Sequence, residues 1–419
     1  MTATLRFLLA AWVGWLGASG ALAAEVVERY DDGKVKEKYT TDAEGRKHGK
    51  YLANFPSGKI WVRGEYKAGQ MDGLQTRYWE SGKVNFKAEY RDGKRHGGYL
   101  ETDENGRVVK EQVFWNDQVL YPKSVRQIKS MLDELLEDAT EVKCGASPKN
   151  ETATGDPTLD PTNLYALGRL NAYRYLCDVP CDVALDARLC DSALAGARIC
   201  ERIGHLDHHP QNPGMPEDEY RRASSATASS NLHMGGGTKR SVDGYMDDSD
   251  PSNIAVVGHR RWCLNPRMAL TGFGESGKFS DMMAHDCGRK DVPDYDFVSF
   301  PPRGYMPIEF FGRDYAWHVS VNPQHYRTPD PKTVKIAIWP LRPGKNPTDA
   351  DPERRAKQPL MIDYQSVDLG GYGISNAIIF RPKLLALKEG DRYWVEITGL
   401  ARSDGSEASI EYIVEFFRP

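Results

Sequence analysis

The sequence predicts a multidomain protein: N-terminal stacked β-hairpin repeats, a helix-rich centre and a C-terminal all-β sandwich. Three observations predict it. Glycine and aromatic rows recur every 24 residues through 45–117, as in Gly49, Gly73 and Gly97. Apolar residues at helical spacing recur between 123 and 203, and from about 297 they alternate with a period of two. The 419-residue length allows roughly two to four domains. The net charge of −4 gives no bulk attraction to nucleic acid.

Residues 1–24 read as an export signal. Arg6 supplies the positive start, 7–16 the apolar stretch and Ala21-Leu22-Ala23 a small-residue cleavage site. No cysteine follows that stretch, so a lipoprotein anchor is not expected. The stretch is too short and too well terminated for a transmembrane helix, and no later one could span a membrane. The mature chain is therefore expected to be secreted or periplasmic. Export permits disulfides among Cys144, Cys177, Cys181, Cys190, Cys200, Cys263 and Cys287. Cys190 and Cys200 fall on one expected helix, roughly 15 Å apart, too far to pair with each other. Cys144 lies in a linker-like segment and is expected to be unpaired.

In the repeat, Gly58, Gly82 and Gly106 form a second row, and Tyr66, Tyr90 and Phe114 a third. Gly45, Gly69 and Gly93 form a fourth, which fails at Asp117. Each unit reads turn, strand, turn, strand. In the middle unit Asp72-Gly73 and Ser81-Gly82-Lys83 are the expected turns. A partial earlier unit begins near Asp32-Gly33. One hairpin cannot bury its own face, so the units should stack. These residues resemble the MORN repeat, above all in Phe55-Pro56-Ser57-Gly58-Lys59 and the His48-Gly49, Asp72-Gly73 and His96-Gly97 steps. The resemblance covers 28–121 and implies lipid or protein binding, with no chemistry of its own. The many Lys and Arg either meet an acidic surface or keep an open sheet soluble.

Residues 122–161 hold a helix and a linker. Val125, Ile128, Met131, Leu132, Leu135 and Leu136 form a helical stripe over 123–140, and 143–161 are rich in turn formers. Asn150-Glu151-Thr152 is a formal glycosylation sequon, relevant only in a eukaryotic host.

The centre opens with helices over 163–176 and 185–203. Arg169 and Arg174 are expected to face outward, and Gly204 stops the second helix. A short helix over 218–223, a loop over 224–237 and a helix from 241 toward 253 follow. Next come a helix end at Gly258-His259-Arg260-Arg261-Trp262-Cys263-Leu264 and a strand over 268–273. This order of segments resembles the CAP superfamily (cysteine-rich secretory proteins, antigen 5, pathogenesis-related 1) in its bacterial form. The matching residues are Leu170-Asn171 with Tyr173-Arg174, the Ala197-Arg198 helix, 205–210, Ser230-Asn231-Leu232, 242–247, Gly258-His259-Arg260, and Asn265-Pro266 through Gly272-Phe273-Gly274. The match runs over about 162–276 of a domain placed at 162–290. It implies an α-β-α sandwich.

The family's cavity carries two His and two Glu that can hold a metal. His259 matches the second His. Ile199 or Cys200 stands at the first His, Ser230 at the first Glu, and no clear match to the second Glu lies near Asp247 or Asp248.

Three readings of this site compete. In one, His259 with His205, His208 or His209 holds a divalent metal such as zinc, with Asp207 or Asp286 adding an oxygen. In another, His259 is a general base on Ser230 or Ser229, with backbone donors from Gly235-Gly236-Gly237. In the third, His259 and Arg260 are structural, Trp262 fills the core, and the cleft binds without chemistry.

From 297 to 419 the alternations Val334-Ile336-Ile338, Tyr393-Val395-Ile397 and Ile410-Tyr412-Val414 argue for a β-sandwich. Ile308-Glu309-Phe310 is read as part of its first strands, 382–387 as the one helical exception, and Trp317 and Trp339 as core. The expectation is an exported non-catalytic binding protein. It would contact an envelope or extracellular protein, glycan or lipid through the repeats and a cleft lined by His205, His208, His209, Asn231 and Arg260. The competing expectation is a hydrolase built on His259 and Ser230, with or without metal.

Overall fold

The computed structural model describes residues 24–137, 156–342, 355–383 and 386–419. The expected export signal up to 23, Cys144, Asn150, the expected linker up to 155 and the end of the expected helix at 138–140 lie outside the described residues. The chain divides into two compact units, up to Gln118 and from Val119.

The first unit is one antiparallel meander of β1 (Ala24–Arg29), β2 (Val35–Thr41), β3 (Lys47–Asn54), β4 (Ile60–Lys67), β5 (Gln70–Met71), β6 (Gly73–Tyr78), β7 (Val84–Arg91), β8 (Lys94–Thr102) and β9 (Val108–Trp115). The period is visible in the backbone. The Gly33, Gly58, Gly82 and Gly106 amides each close the same turn, onto Tyr30, Phe55, Trp79 and Asp103 carbonyls, with φ between 84° and 88°. Asp117, where the fourth glycine row fails, adopts φ 70°, a left-handed conformation that Asp tolerates. The repeat thus continues where its signature residue does not. Gly73 differs from the expected turn. It opens β6, with φ 96°, just past the short β5. Stacking is edge to edge, through backbone hydrogen bonds, and β10 (Gln118–Tyr121) follows the last repeat.

The second unit begins with α1 (Val125–Glu137), whose Ile128 and Leu132 enter the core. After it come α2 (Pro161–Leu176), β11 (Ala184–Leu185), α3 (Ala187–Ile203), α4 (Glu217–Thr227), β12 (Ser230–Met234), α5 (Thr238–Asp247), α6 (Gly258–Cys263), β13 (Leu270–Thr271), β14 (Phe273–Ser276) and β15 (Phe279–Met283). Asp160 and Asp186 cap α2 and α3, and Gly204 ends α3 at φ 83°. A three-stranded sheet in the order β12-β15-β14 lies between α3 on one face and α5 on the other. Period-two alternation sorts its side chains. Leu232 packs with Cys200 and Phe279 toward α3, while Phe273 and Met282 join the core with α5 residues Val242, Tyr245 and Met246.

Several expectations change here. The loop read over 224–237 is the end of α4 and the whole of β12. Tertiary contacts override its Ser and Gly content, because Ala226 and Thr227 are buried and each β12 residue pairs with β15. The helix expected to run toward 253 stops at Asp248, left-handed at φ 44°. The single strand over 268–273 is split, because β13 pairs in parallel with β11 and β14 pairs with β15. Arg169 and Arg174 do not face outward. Arg174 has no exposed surface, and its guanidinium donates to the carbonyls of Pro180 (2.7 Å), Cys263 (2.7 Å) and Asn265 (3.0 Å). Arg169 pairs with Asp243 and lies 3.9 Å over the Phe310 ring. The six described cysteines are free thiols.

Gly272 and Gly274 are where the backbones of α3 and β14 meet. A Cβ on Gly272 would sit 2.2 Å from the Cys190 nitrogen, and one on Gly274 would sit 2.1 Å from the Leu194 nitrogen. Gly274→Ala is therefore expected to destabilise the second unit by about 3 kcal/mol, the upper end of overpacking costs. Urea unfolding checks this through a lowered midpoint at unchanged slope.

The C-terminal strands form two four-stranded sheets. One holds β16 (Phe297–Phe300), β18 (Trp317–Val321), β20 (Ile362–Asp368) and β21 (Ala377–Pro382). The other holds β17 (Gly304–Pro307), β19 (Lys335–Pro340), β22 (Arg392–Ala401) and β23 (Glu407–Phe417). Trp317 fills the core between them, as expected. Trp339 is only half-buried and lies under the Arg355 guanidinium. Ile308–Phe310 is a 3-10 turn, and the described part of 382–387 is not helical. One apolar cluster runs from Ile128 to Phe417, through the helical region and the strands alike.

Candidate functional site

α6 is a six-residue helix whose entry is fixed by two left-handed residues, Asp248 at the end of α5 and Val257 before Gly258. That geometry brings the Asp248 carboxylate back over the start of α6. Asp248 Oδ1 accepts from His259 Nδ1 at 2.8 Å, and Oδ2 accepts from the Arg260 amide at 3.3 Å. The Asp248 side chain is 1% exposed and the His259 ring 22%. Burial alone would lower the His259 pKa, but the hydrogen bond and charge of Asp248 overcome it and raise the pKa. With Nδ1 donating to Asp248, Nε2 is the ring's acceptor nitrogen. Asp248→Asn is expected to reverse the sign, leaving burial dominant and taking the His259 pKa below its ordinary value. Titration of the ring proton by NMR reads this directly, and an unchanged pKa would show that Asp248 does not control it.

Around His259 the site is completed from four directions. The Tyr245 ring lies 5.8 Å from the His259 ring, and its hydroxyl donates to the Asn231 carbonyl at 2.9 Å. Asn231 Nδ2 donates to the His259 carbonyl at 3.0 Å. The His208 ring lies 6.4 Å from His259, within 28° of parallel, with Nδ1 held 2.7 Å from the Thr227 carbonyl. His285 stacks on Trp262 at 4.1 Å, and burial followed by the charge of His208 lowers its pKa.

Of the residues expected at the site, His208, His259 and Asn231 come together. His205 and His209 do not. Both are exposed, and His205 Nδ1 lies 3.1 Å from the Ile203 carbonyl beside it in sequence. Ser230 is buried in β12, and strand alternation points its side chain away from the face that Asn231 turns to His259. Its hydroxyl donates to the Ala226 carbonyl at 2.9 Å. The expected Ser230–His259 pair is therefore not assembled. Arg260 is in place but is not a cleft residue. It is fully buried and donates to Met246 (2.7 Å), Ala316 (2.6 Å) and Asp247 carbonyls. Arg261 likewise ties α6 to Asp368, Gly370 and Ile374. Trp262 is half-buried, packing against the core cluster while His285 stacks on its ring. Among the described residues no group of three or more His, Cys, Asp or Glu side chains could hold a metal ion. The set His259, His205, His208 and His209 does not fit zinc, which takes three or four converging ligands.

Asp248, Tyr245 and His285 are site residues that sequence reasoning missed. Asp248 was legible only as one of two adjacent acids, and the left-handed turn that selects it has no glycine to mark it.

The MORN repeat variant model matches residues 47–68 and 71–92. The matched residues lie within the hairpins of the first unit, which is therefore a MORN-like repeat region. Among solved structures, it is similar to a cysteine-rich secretory protein from Staphylococcus aureus, at 11% identity and a TM-score of 0.21, over 59% of this chain and 82% of that one. An extracellular protein containing a SCP domain from Bacillus anthracis follows, at 14% identity and TM-score 0.20, over 63% and 85%. TarM from Staphylococcus aureus is similar at 15% identity and TM-score 0.15, over 28% of this chain and 24% of TarM, so the chain spans about a quarter of TarM's length. No curated protein matches the sequence.

Proposed function

We propose that the chain is an exported, non-catalytic binding protein. Its CAP-like domain presents the His259–His208 face to an envelope or extracellular partner (protein, glycan or lipid), and the MORN-like sheet adds a second contact surface. The observation that carries this reading is the fate of the reactive candidates. Ser230 is turned away from His259, and Arg260 is consumed by buried carbonyls. What is left facing outward is suited to recognition: two imidazoles, each anchored through Nδ1, beside an indole stacked on a third. The test is saturable binding of the purified mature chain to isolated cell envelopes. Wild type should bind, and a His208→Ala/His259→Ala double variant should bind less, with no turnover by either.

The Asp248–His259 pair favours one second reading, a hydrolase in which a carboxylate orients His259 as general base toward a water. A panel of ester, peptide and phosphodiester substrates separates the two. Turnover by wild type that disappears in His259→Ala would replace the binding reading with this one.

A further inference from the structure

The second unit holds a cleft of about 1140 Å³ that neither the repeats nor the histidine site uses. One wall is the segment after α6, Asn265 to Arg267, together with Cys287 to Lys290 and Val292 to Tyr295. The other is the segment after β18, Asn322 to His325, with Gly373 to Ser375 before β21. His208, Asp248 and His259 are not among its lining residues. Junctions between layers are a preferred place for ligand clefts, and this one exceeds the roughly 300–1,000 Å³ typical of drug-sized ligands.

The walls are fixed although they carry little regular structure. The Asn265 amide donates to the Asp286 carbonyl at 3.1 Å, and the Asp286 carboxylate accepts from the Ala269 and Leu270 amides. Arg289 is held by Asp182 and by the Met268 carbonyl, and its amide bonds to Arg267. Across the cleft, Asn322 donates to the Tyr295 carbonyl at 2.7 Å. A ligand would meet a surface whose ordering cost is already met by the fold.

The charge on that surface is unbalanced. Arg267 and Lys290 are exposed and form no ion pair with any described residue. Asp294, the lining carboxylate, is bound to His325 at 2.9 Å. Val292, Pro293 and Pro323 leave apolar edges between these charges. An Arg fork and a Lys point charge beside proline edges recognise carboxylates on an extended chain. Tyr295 is half-buried and is no open ring platform for a sugar.

The geometry points to this cleft as a binding site for an acidic peptide segment of a partner protein, with Arg267 and Lys290 reading its carboxylates. The site stands apart from the histidine face and does not depend on it.

Fluorescence anisotropy of the full mature chain with a labelled, end-capped hexapeptide alternating glutamate and proline tests this. Wild type should bind saturably, and Arg267→Glu/Lys290→Glu should weaken binding about tenfold or more at an unchanged melting temperature. The same variant should gain binding to the matching lysine–proline peptide, and His259→Ala should bind the acidic peptide like wild type. Absence of saturable binding up to about 1 mM would overturn the assignment. So would equal binding by the charge-reversed variant, or tighter binding of an oligogalacturonate than of the peptide.

Discussion

Arg260→Met is expected to destabilise the second unit by about 3–5 kcal/mol, the cost of removing one partner from a buried, hydrogen-bonded charge. The side chain is fully buried and has little alternative. Its Nε and Nη atoms donate to Met246 and Asp247, the last carbonyls of α5, and to Ala316 just before β18. Asp248 offsets its charge nearby, and the guanidinium lies 4.7 Å over Phe300. Methionine fills much of the volume but removes the guanidinium donors from the buried Met246 and Ala316 carbonyls, each costing about 1–3 kcal/mol before relaxation, while the Asp247 carbonyl keeps the Ser249 hydroxyl. Arg260→Lys should rescue little, because one ammonium cannot span carbonyls from two elements. Denaturant unfolding checks this, with the exposed Arg267→Met as a control expected within about 0.5 kcal/mol of wild type. A loss below about 1 kcal/mol for Arg260→Met would mean that the helix ends find other donors.

The second large effect is a pH dependence with two opposed limbs. Asp281 lies on β15 with no exposed surface, and among the described residues neither carboxyl oxygen has a hydrogen-bond donor within bonding geometry. The Ser230 hydroxyl is near, but it donates to Ala226. Burial raises the Asp281 pKa well above the ordinary value. The folded state therefore keeps a proton that the unfolded chain releases from about pH 3.9 upward. Stability is full below that value and falls as pH rises through the folded pKa, by at most about 1.4 kcal/mol per pH unit. Asp281→Asn cannot ionise. It should match wild type near pH 4 and exceed it increasingly toward neutral pH.

His318, on β18, has the opposite sign. Among the described residues neither ring nitrogen has a hydrogen-bond partner, and burial, then the charges of Arg260 and Arg261, lower its pKa well below the ordinary value. The unfolded chain gains a proton below about pH 6.5 that the folded state refuses. Stability is thus lost as pH falls below that value, and His318→Phe should remove this acid limb. His259, with its raised pKa, adds a loss as pH rises through its folded value, a residual slope that Asp281→Asn leaves intact. Thermal unfolding of the variants across pH 4–8 resolves the limbs. Parallel curves for wild type and Asp281→Asn would show that Asp281 is ionised in the fold.

Legibility followed the range of the interaction that decides each feature. Turn glycines and apolar spacing act within a few residues, so the repeat register, α2, α3 and the alternating strands could be read directly. The readings that changed depend on distant partners. A guanidinium at a helical i, i+3 or i+4 position looks exposed unless carbonyls of another segment meet it, as Cys263 and Asn265 meet Arg174. Composition made 224–237 a loop, while pairing with β15 made part of it a strand. That strand set which way Ser230 points and so decided against its pairing with His259.

The sequence by itself determined the three-part order, the MORN-like period and the position of Gly258-His259-Arg260 at the centre of the helical region. Tertiary structure alone decided what those residues do. It chose Asp248 as the partner of His259 through a left-handed turn, spent Arg260 and Arg261 on buried carbonyls, and separated His205 and His209 from His208. Hydrogen-bond geometry and burial are properties of segments brought together from far apart, and spacing along one chain does not encode them.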